Sequence, residues 1–192
     1  MLAAQYGHTD TLNALAGTYN ANVEAVDQNG ETALVWAASR GHTDTVNALA
    51  GTYNANVDAA DRNGRTALIL AALNGHTATV NALAGTHNAN VDSADQNGET
   101  ALMWAAQEGH TDIVNALAGT HNANVEAVDR NGVTALILAA LKGHTDTVNV
   151  LAGTHNANVE AVDRYGKTAL LFAAWNGHTD TVNALRRHGA TR

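Results

Sequence analysis

The chain has 192 residues, 10 Lys+Arg against 18 Asp+Glu for a formal net charge of −8, and neither Cys nor Pro. Lack of Cys excludes a disulfide framework, a Cys-ligated zinc site and a thiol nucleophile. No run approaches the roughly 18 apolar residues of a membrane span, and Met1–Asp10 lacks the charged and apolar regions of a signal peptide, so a soluble, intracellular protein is expected. An acidic chain is also a poor fit to nucleic acid, and no membrane partner is expected. Only 4% of residues are aromatic although 45% are apolar; the apolar share is mostly small, which predicts many small interfaces rather than one bulky core.

In chain order the first signal is a repeat. Gly-His recurs at Gly7, Gly41, Gly75, Gly109, Gly143 and Gly177, always 34 residues apart. The chain divides into a partial unit 1–28, full units 29–62, 63–96, 97–130 and 131–164, and a short unit 165–192. Units 29–62 and 97–130 differ at 7 of 34 positions. No linker or composition shift interrupts the series, so one domain, 1–192, is expected.

The unit 29–62 shows the local logic. Asp27-Gln28-Asn29-Gly30 is a turn signal, since Asn-Gly tolerates positive φ. Thr32 is placed to N-cap a first helix, in which Leu34, Ala37 and Ala38 share one stripe. Gly41-His42 breaks it. Thr43 is placed to cap a second helix, with Asp44 in the first turn, where the dipole favours an acid, and Val46, Leu49 and Ala50 as the apolar stripe. Helices this short are unstable alone in water and must be held by neighbouring copies, as in a solenoid. The first unit starts inside a first helix, without turn or cap, so Met1–Tyr6 is expected to fray or to be covered by another molecule.

Asn29-Gly-Glu-Thr-Ala-Leu-Val-Trp-Ala-Ala38, Gly41-His-Thr-Asp-Thr-Val46 and Ala55-Asn-Val-Asp-Ala-Ala-Asp61 resemble the ankyrin repeats over essentially the whole chain. The resemblance implies a mainly α fold: an ankyrin-type solenoid of stacked helix-turn-helix repeats joined by β-hairpin-like loops, curved into a slab. It also implies that the His of each Gly-His pair bonds backbone between repeats. The sequence departs from the family in several columns. The period is 34, not 33. Ala33, Ala67, Ala101, Ala135 and Ala169 replace the family's Pro, and Val35, Ile69, Met103, Ile137 and Leu171 replace its His, so apolar packing is expected there. Asn takes the place of Gly after the second helix, as in Tyr53-Asn54-Ala55, and is the next best residue for a left-handed terminus. The last unit returns to a shorter form, Leu185-Arg186-Arg187-His188-Gly189-Ala190, which reads as a polar cap.

No cofactor motif is present: there is no phosphate loop and no serine elbow. Asp27, Asp61, Asp95, Asp129 and Asp163 recur as a turn column, whereas a catalytic pair should be an exception to the repeat, so no enzyme and no catalytic residue is expected. The His8, His42, His76, His110, His144 and His178 column cannot form a metal ladder. Stacked elements lie about 8–10 Å apart, too far to share zinc at about 2.0–2.1 Å per ligand. His87, His121 and His155, with Tyr19 and Tyr53, read as surface loop positions. The Asn20, Asn54, Asn88, Asn122, Asn156 column and the Asn22, Asn56, Asn90, Asn124, Asn158 column read as structural ladders of side-chain amides, each able to donate and accept.

Two columns vary and are free to serve a partner. One ends the first helix (Ser39, Arg40, Leu73, Asn74, Gln107, Glu108, Leu141, Lys142, Trp175, Asn176). The other is the turn (Arg62, Arg65, Glu99, Arg164, Tyr165, Lys167). In ankyrin-like proteins the turn tips and first helices line a concave binding face, which makes these residues the candidate contacts. It would make Tyr6, Leu73, Leu141 and Trp175 exposed anchors of the kind binding hot spots favour, while Trp36, Leu70, Trp104, Leu138 and Phe172 read as core or groove wall. Residues 1–96 hold nine acids and three bases, residues 97–192 nine and seven. Such a rod can steer a partner or its own copies, over about 8 Å at physiological salt. The sequence therefore points to a non-enzymatic scaffold that binds another protein on the concave face. The alternative is a structural repeat protein that assembles head to tail into filaments.

Overall fold

In a computed structural model, which describes residues 1–191, the chain is a series of paired helices. Its contacts gather into two compact units, Met1–Gln96 and the residues from Asn97 onward. The first contains the first helices α1 (Leu2–Gln5), α3 (Ala33–Ser39) and α5 (Ala67–Leu73) and the second helices α2 (Thr9–Asn13), α4 (Thr43–Asn47) and α6 (Thr77–Asn81). The second contains first helices α7 (Ala101–Gln107), α9 (Ala135–Lys142) and α11 (Ala169–Trp175), with α8 (Thr111–Asn115), α10 (Thr145–Asn149) and α12 (Thr179–Arg187) as their partners. The described residues include no extended strand; two isolated bridges, Ala60 to Thr66 and Val162 to Thr168, mark hairpin-like loops.

The first helices start where the sequence puts them. Thr32, Thr66, Thr100 and Thr134 each accept a bond on Oγ1 from the backbone N–H three residues on, at 3.3–3.4 Å. The second helices start differently. Their N-caps are His42, His76, His144 and their column mates, with no side-chain cap bond. The expected Thr43 cap is therefore corrected: Thr43 is the first helical residue, and its Oγ1 lies 2.8 Å from Thr79 Oγ1 of the next repeat. Thr9 with Thr45, Thr111 with Thr147, and Thr145 with Thr181 repeat that contact at 2.8 Å.

Five second helices end in a π-helical turn: Ala14–Thr18, Ala48–Thr52, Ala82–Thr86, Ala116–Thr120 and Val150–Thr154. The last does not, and the comparison explains the period. Tyr53 N–H reaches back five residues to Ala48 O, and Ala55 N–H six to Leu49 O; His188 N–H reaches four to Ala184 O, and Ala190 N–H five to Leu185 O. The extra residue of the 34-residue repeat is therefore taken up inside the second helix as a one-residue π bulge. Asn20, Asn54, Asn88, Asn122 and Asn156 follow at φ 51–54°, the left-handed stop expected of them.

Packing follows from small side chains. α3 lies against α1 and α5, and α9 against α7 and α11. Ala37, Ala38, Ala71, Ala72, Ala105, Ala106, Ala139 and Ala140 are wholly buried, which lets first helices approach closely. The apolar substitutes Val35, Ile69, Met103 and Ile137 are at most 1% exposed, as expected, while Leu171 is half-buried. Leu49, Leu83, Leu117 and Leu151 are 0% exposed, each contributing about 1.5–3 kcal/mol by burial. Leu15, their column mate in the first unit, is 43% exposed. No helix among the described residues is long and apolar enough to cross a membrane.

The Gly-His pair joins one repeat to the next. His42 Nε2 donates to Gln5 O at 3.1 Å, His76 to Ser39 O at 3.2 Å, His144 to Gln107 O at 2.9 Å and His178 to Leu141 O at 3.1 Å. A carbonyl only accepts, so Nε2 carries the proton. The backbone bond implied by the resemblance is present. The preceding Gly is required twice: Gly143 has φ 77°, and a Cβ there would stand 2.6 Å from His178 Nδ1.

Candidate functional site at the hairpin tips and first-helix ends

The hairpin tips are built on an aspartate. Asp27 Oδ1 accepts from Asn29 N–H at 2.8 Å and Glu31 N–H at 3.0 Å, and Gly30 takes the positive φ of 80°. Asp61, Asp129 and Asp163 repeat the arrangement on Asn63 and Arg65, Asn131 and Val133, and Tyr165 and Lys167. Neighbouring tips are tied by backbone, Arg62 N–H to Asn29 O at 2.9 Å and Arg164 N–H to Asn131 O at 2.8 Å.

The carboxylate environment follows from this. Asp27 lies below the usual range chiefly because Glu31 N–H donates to it; partial burial opposes this, and bonds from Asn29 N–H and the Trp36 indole at 3.1 Å reinforce it. At Asp61 burial is the largest influence and works against the charge. Arg65 backbone and guanidinium with Asn63 N–H outweigh it, so the pKa is again lowered. Both are structural anions, held by donors of their own turn and of the residues that follow it.

The predicted contacts divide by exposure. Arg40, Arg62, Asn74, Glu108, Lys142, Arg164, Tyr165, Trp175 and Asn176 are exposed; Ser39, Arg65, Leu73, Glu99, Gln107, Leu141 and Lys167 are half-buried. Tyr6 and Trp175 are open anchors at 63% and 62% exposure. Leu73 and Leu141 are not: both are half-buried, which corrects the expected exposed pair. Several polar candidates are already engaged. Arg65 forms a two-point bond with Asp61 Oδ2 at 2.7 and 2.9 Å. Ser39 Oγ donates to Trp36 O, and Asn74 and Asn176 Nδ2 to Leu70 O and Phe172 O. Trp36, Trp104 and Phe172 are half-buried, and Leu70 and Leu138 buried. Trp104 Nε1 is buried with no hydrogen-bond partner.

The structure brings four predicted residues together where the last repeat begins. The Arg164 guanidinium lies 4.8 Å from the Tyr165 ring centre and its Nη2 donates to Tyr165 Oη at 2.6 Å. Lys167 Nζ lies 4.5 Å from the Trp175 ring centre and 5.7 Å from that of Tyr165. Phe172 backs Trp175 edge-on, ring centres 6.0 Å apart. Each exposed cation–π contact contributes about 0.5–1 kcal/mol. Glu99 and Arg164 also line a groove of about 480 Å³ with Asn97, Asp129, Arg130 and Asn131. Arg130 was absent from the predicted contacts, although it stands in the same turn column as Arg62 and Arg164.

Two inter-repeat ladders differ from the sequence reading. The second histidine column is not loose loop: His87 Nε2 donates to Asn47 Oδ1 at 2.9 Å, His155 to Asn115 at 3.0 Å and His188 to Asn149 at 3.0 Å, with Tyr53 reaching Asn13 in the same place. The Asn22 column is not linked amide to amide. Asn56 Oδ1 accepts from Asp58 N–H within its own turn. The link between repeats runs from Asn56 N–H to the Glu24 carboxylate at 2.8 Å, from Asn90 to Asp58 at 2.9 Å and from Asn158 to Glu126 at 2.8 Å. Among the described residues no group of three or more His, Asp or Glu could hold a metal ion.

Fold and site together define a helical-repeat solenoid whose repeated polar side chains are bound within and between repeats. A family profile for ankyrin repeats (3 copies) matches residues 1–95, 53–129, 78–163 and 121–191, and the chain belongs to that family. No curated protein matches it. Ankyrin repeats are in general protein–protein interaction modules.

Proposed function

We propose that residues 1–192 act as one non-enzymatic scaffold that binds a partner protein along the hairpin tips and first-helix ends. The supporting observation is the contrast between columns. Asp, Thr and His side chains of the repeat are bound to backbone or to neighbouring repeats, whereas Arg40, Arg62, Lys142, Arg164, Tyr165 and Trp175 are exposed. Rigid aromatic and arginine side chains on a fixed scaffold are what hot spots use.

The test is selection of binders from a random-peptide display library by the full chain, followed by amide-exchange footprinting of the complex. Protection at 62–65, 130–131, 164–167 and 174–176 is the expected footprint. Protection confined to the second helices and their π turns would refute the proposed face. The end-to-end alternative draws on Leu15, exposed where its column mates are fully buried. Light scattering over a hundredfold concentration range decides it: constant mass near that of one chain excludes it, and mass growing with concentration establishes it.

A further inference from the structure

At the start of the last repeat, Arg164 of the preceding unit with Tyr165, Lys167 and Trp175 forms a single patch, and its chemistry selects among partners. Tyr165 and Trp175 are 66% and 62% exposed. Both cations lie over aromatic rings. Neither forms an ion pair of the kind Arg65 forms with Asp61. The nearby acids are occupied. Asp163 accepts Tyr165 and Lys167 N–H, and Glu160 accepts both N–H and Oγ1 of Thr191. Of the two acids that share a groove with Arg164, Asp129 accepts Asn131 and Val133 N–H and Glu99 accepts from Asn97 Nδ2. Asp146 and Asp180 stand in the first turns of α10 and α12, on second helices.

The patch therefore couples two unneutralised cations to two open aromatic surfaces. Resting on a ring orients a guanidinium or ammonium while leaving most of its N–H donors available: of the five on Arg164, one goes to Tyr165. A carboxylate arriving there gains charge-assisted bonds of the strong class, and an apolar side chain beside it gains the Trp175 face, stiffened by Phe172. We propose, resting on the scaffold reading above, that this patch recognises an extended acidic peptide segment of the partner in which carboxylates alternate with aromatic or large aliphatic residues. Nucleic acid would also offer anions and flat rings, but the chain's net charge of −8 opposes a polyanion, whereas a short acidic peptide meets only the local field.

The test uses fluorescence anisotropy of the full chain with three fluorescein-labelled probes: the peptide Gly-Glu-Asp-Phe-Glu-Asp-Leu-Glu-Gly, the same peptide with Lys for every acid, and a fifteen-nucleotide oligo-dT. The acidic peptide should bind at least tenfold more tightly than either of the others. Trp175→Ala, Arg164→Glu and Lys167→Glu should each weaken it tenfold or more, with unchanged helicity by circular dichroism. Arg186→Glu with Arg187→Glu, on the exposed end of α12, should change it less than twofold, separating a built patch from bulk charge. Lys167→Arg, which keeps a cation over the ring, should hold within threefold and guards against a folding artefact.

Preference for the lysine peptide or oligo-dT, no binding by the acidic peptide, or equal losses at Arg186 and Arg187 would overturn the proposal. Peptides selected from the display library separate its failure from that of the scaffold reading. Selected binders that are not acidic and are indifferent to Trp175→Ala sink this patch and leave the scaffold standing. A library that yields no binder sinks both.

Discussion

Gly143 and Gly177 offer a matched pair for measuring what a close inter-repeat approach contributes. Their backbones are alike, φ 77° and 73°, but a Cβ on Gly143 would meet His178 Nδ1 at 2.6 Å, whereas nothing lies within 4 Å of one on Gly177. Gly177→Ala therefore incurs the left-handed penalty alone, about 1–2 kcal/mol. Gly143→Ala incurs the same penalty and must also push the His178 ring back by about 0.8 Å to reach ordinary contact at 3.4 Å. That displacement would lengthen the 3.1 Å bond from His178 Nε2 to Leu141 O beyond hydrogen-bonding range. Overpacking costs about 1–3 kcal/mol and the lost bond about 0.5–1.5 kcal/mol. Entropy lost from the unfolded chain is the same for both variants and cancels. The expected excess for Gly143→Ala is about 1.5–4.5 kcal/mol. Urea titrations of both variants, compared by midpoint at matched slope, measure it. Equal destabilisation, within about 0.5 kcal/mol of each other, would refute the idea that the Gly-His pair is held by steric contact between repeats.

The Thr111–Thr147 contact predicts non-additivity. Thr147→Val should cost about 1 kcal/mol by removing the 2.8 Å partner and leaving Thr111 Oγ1 only its long 3.5 Å bond to Gly109 O, and Thr111→Val with Thr147→Val should recover much of it; additive losses in urea midpoints would contradict this. His155→Ala removes the bridge to Asn115 and should cost about 1 kcal/mol, with faster amide exchange at Ala157 and Asn158; unchanged exchange there would mean that the ladder is idle. Acidification has a definite sign. Asp27 and Asp61 have pKa values lowered by folding, so their contribution is fully present above the unfolded carboxylate value, about 3.9. It is lost as pH falls through the lower folded value. Urea midpoints should start to fall as pH drops below about 4, and less so in Asp61→Asn; an identical acid slope in that variant would remove Asp61 from the account.

The sequence alone determined the period, the six units, the Thr caps of the first helices and the Asn stop after the second. These are local matters, settled by propensity and spacing within one repeat. The tertiary structure decided what bridges the repeats. The extra residue was visible as a count, 34 against a shorter last unit, but its home in a π turn depends on hydrogen bonds reaching five and six residues back. Thr43 looked like a cap until the next repeat offered Thr79. His87 and His155 looked like loop residues because their partners, Asn47 and Asn115, stand 40 positions away. The Asn22 column looked like an amide ladder because the competing carboxylates of Glu24 and Asp58 come into register only on stacking. Leu73 and Leu141 shared a column with Trp175 but not its exposure, since a side chain's share of solvent is set by neighbours on other repeats. Arg164, Tyr165 and Lys167 were adjacent in the sequence; only the turn of the hairpin over α11 brought them to Trp175, because a ring and a cation attract at contact distance, and contact is fixed by how the repeats stack.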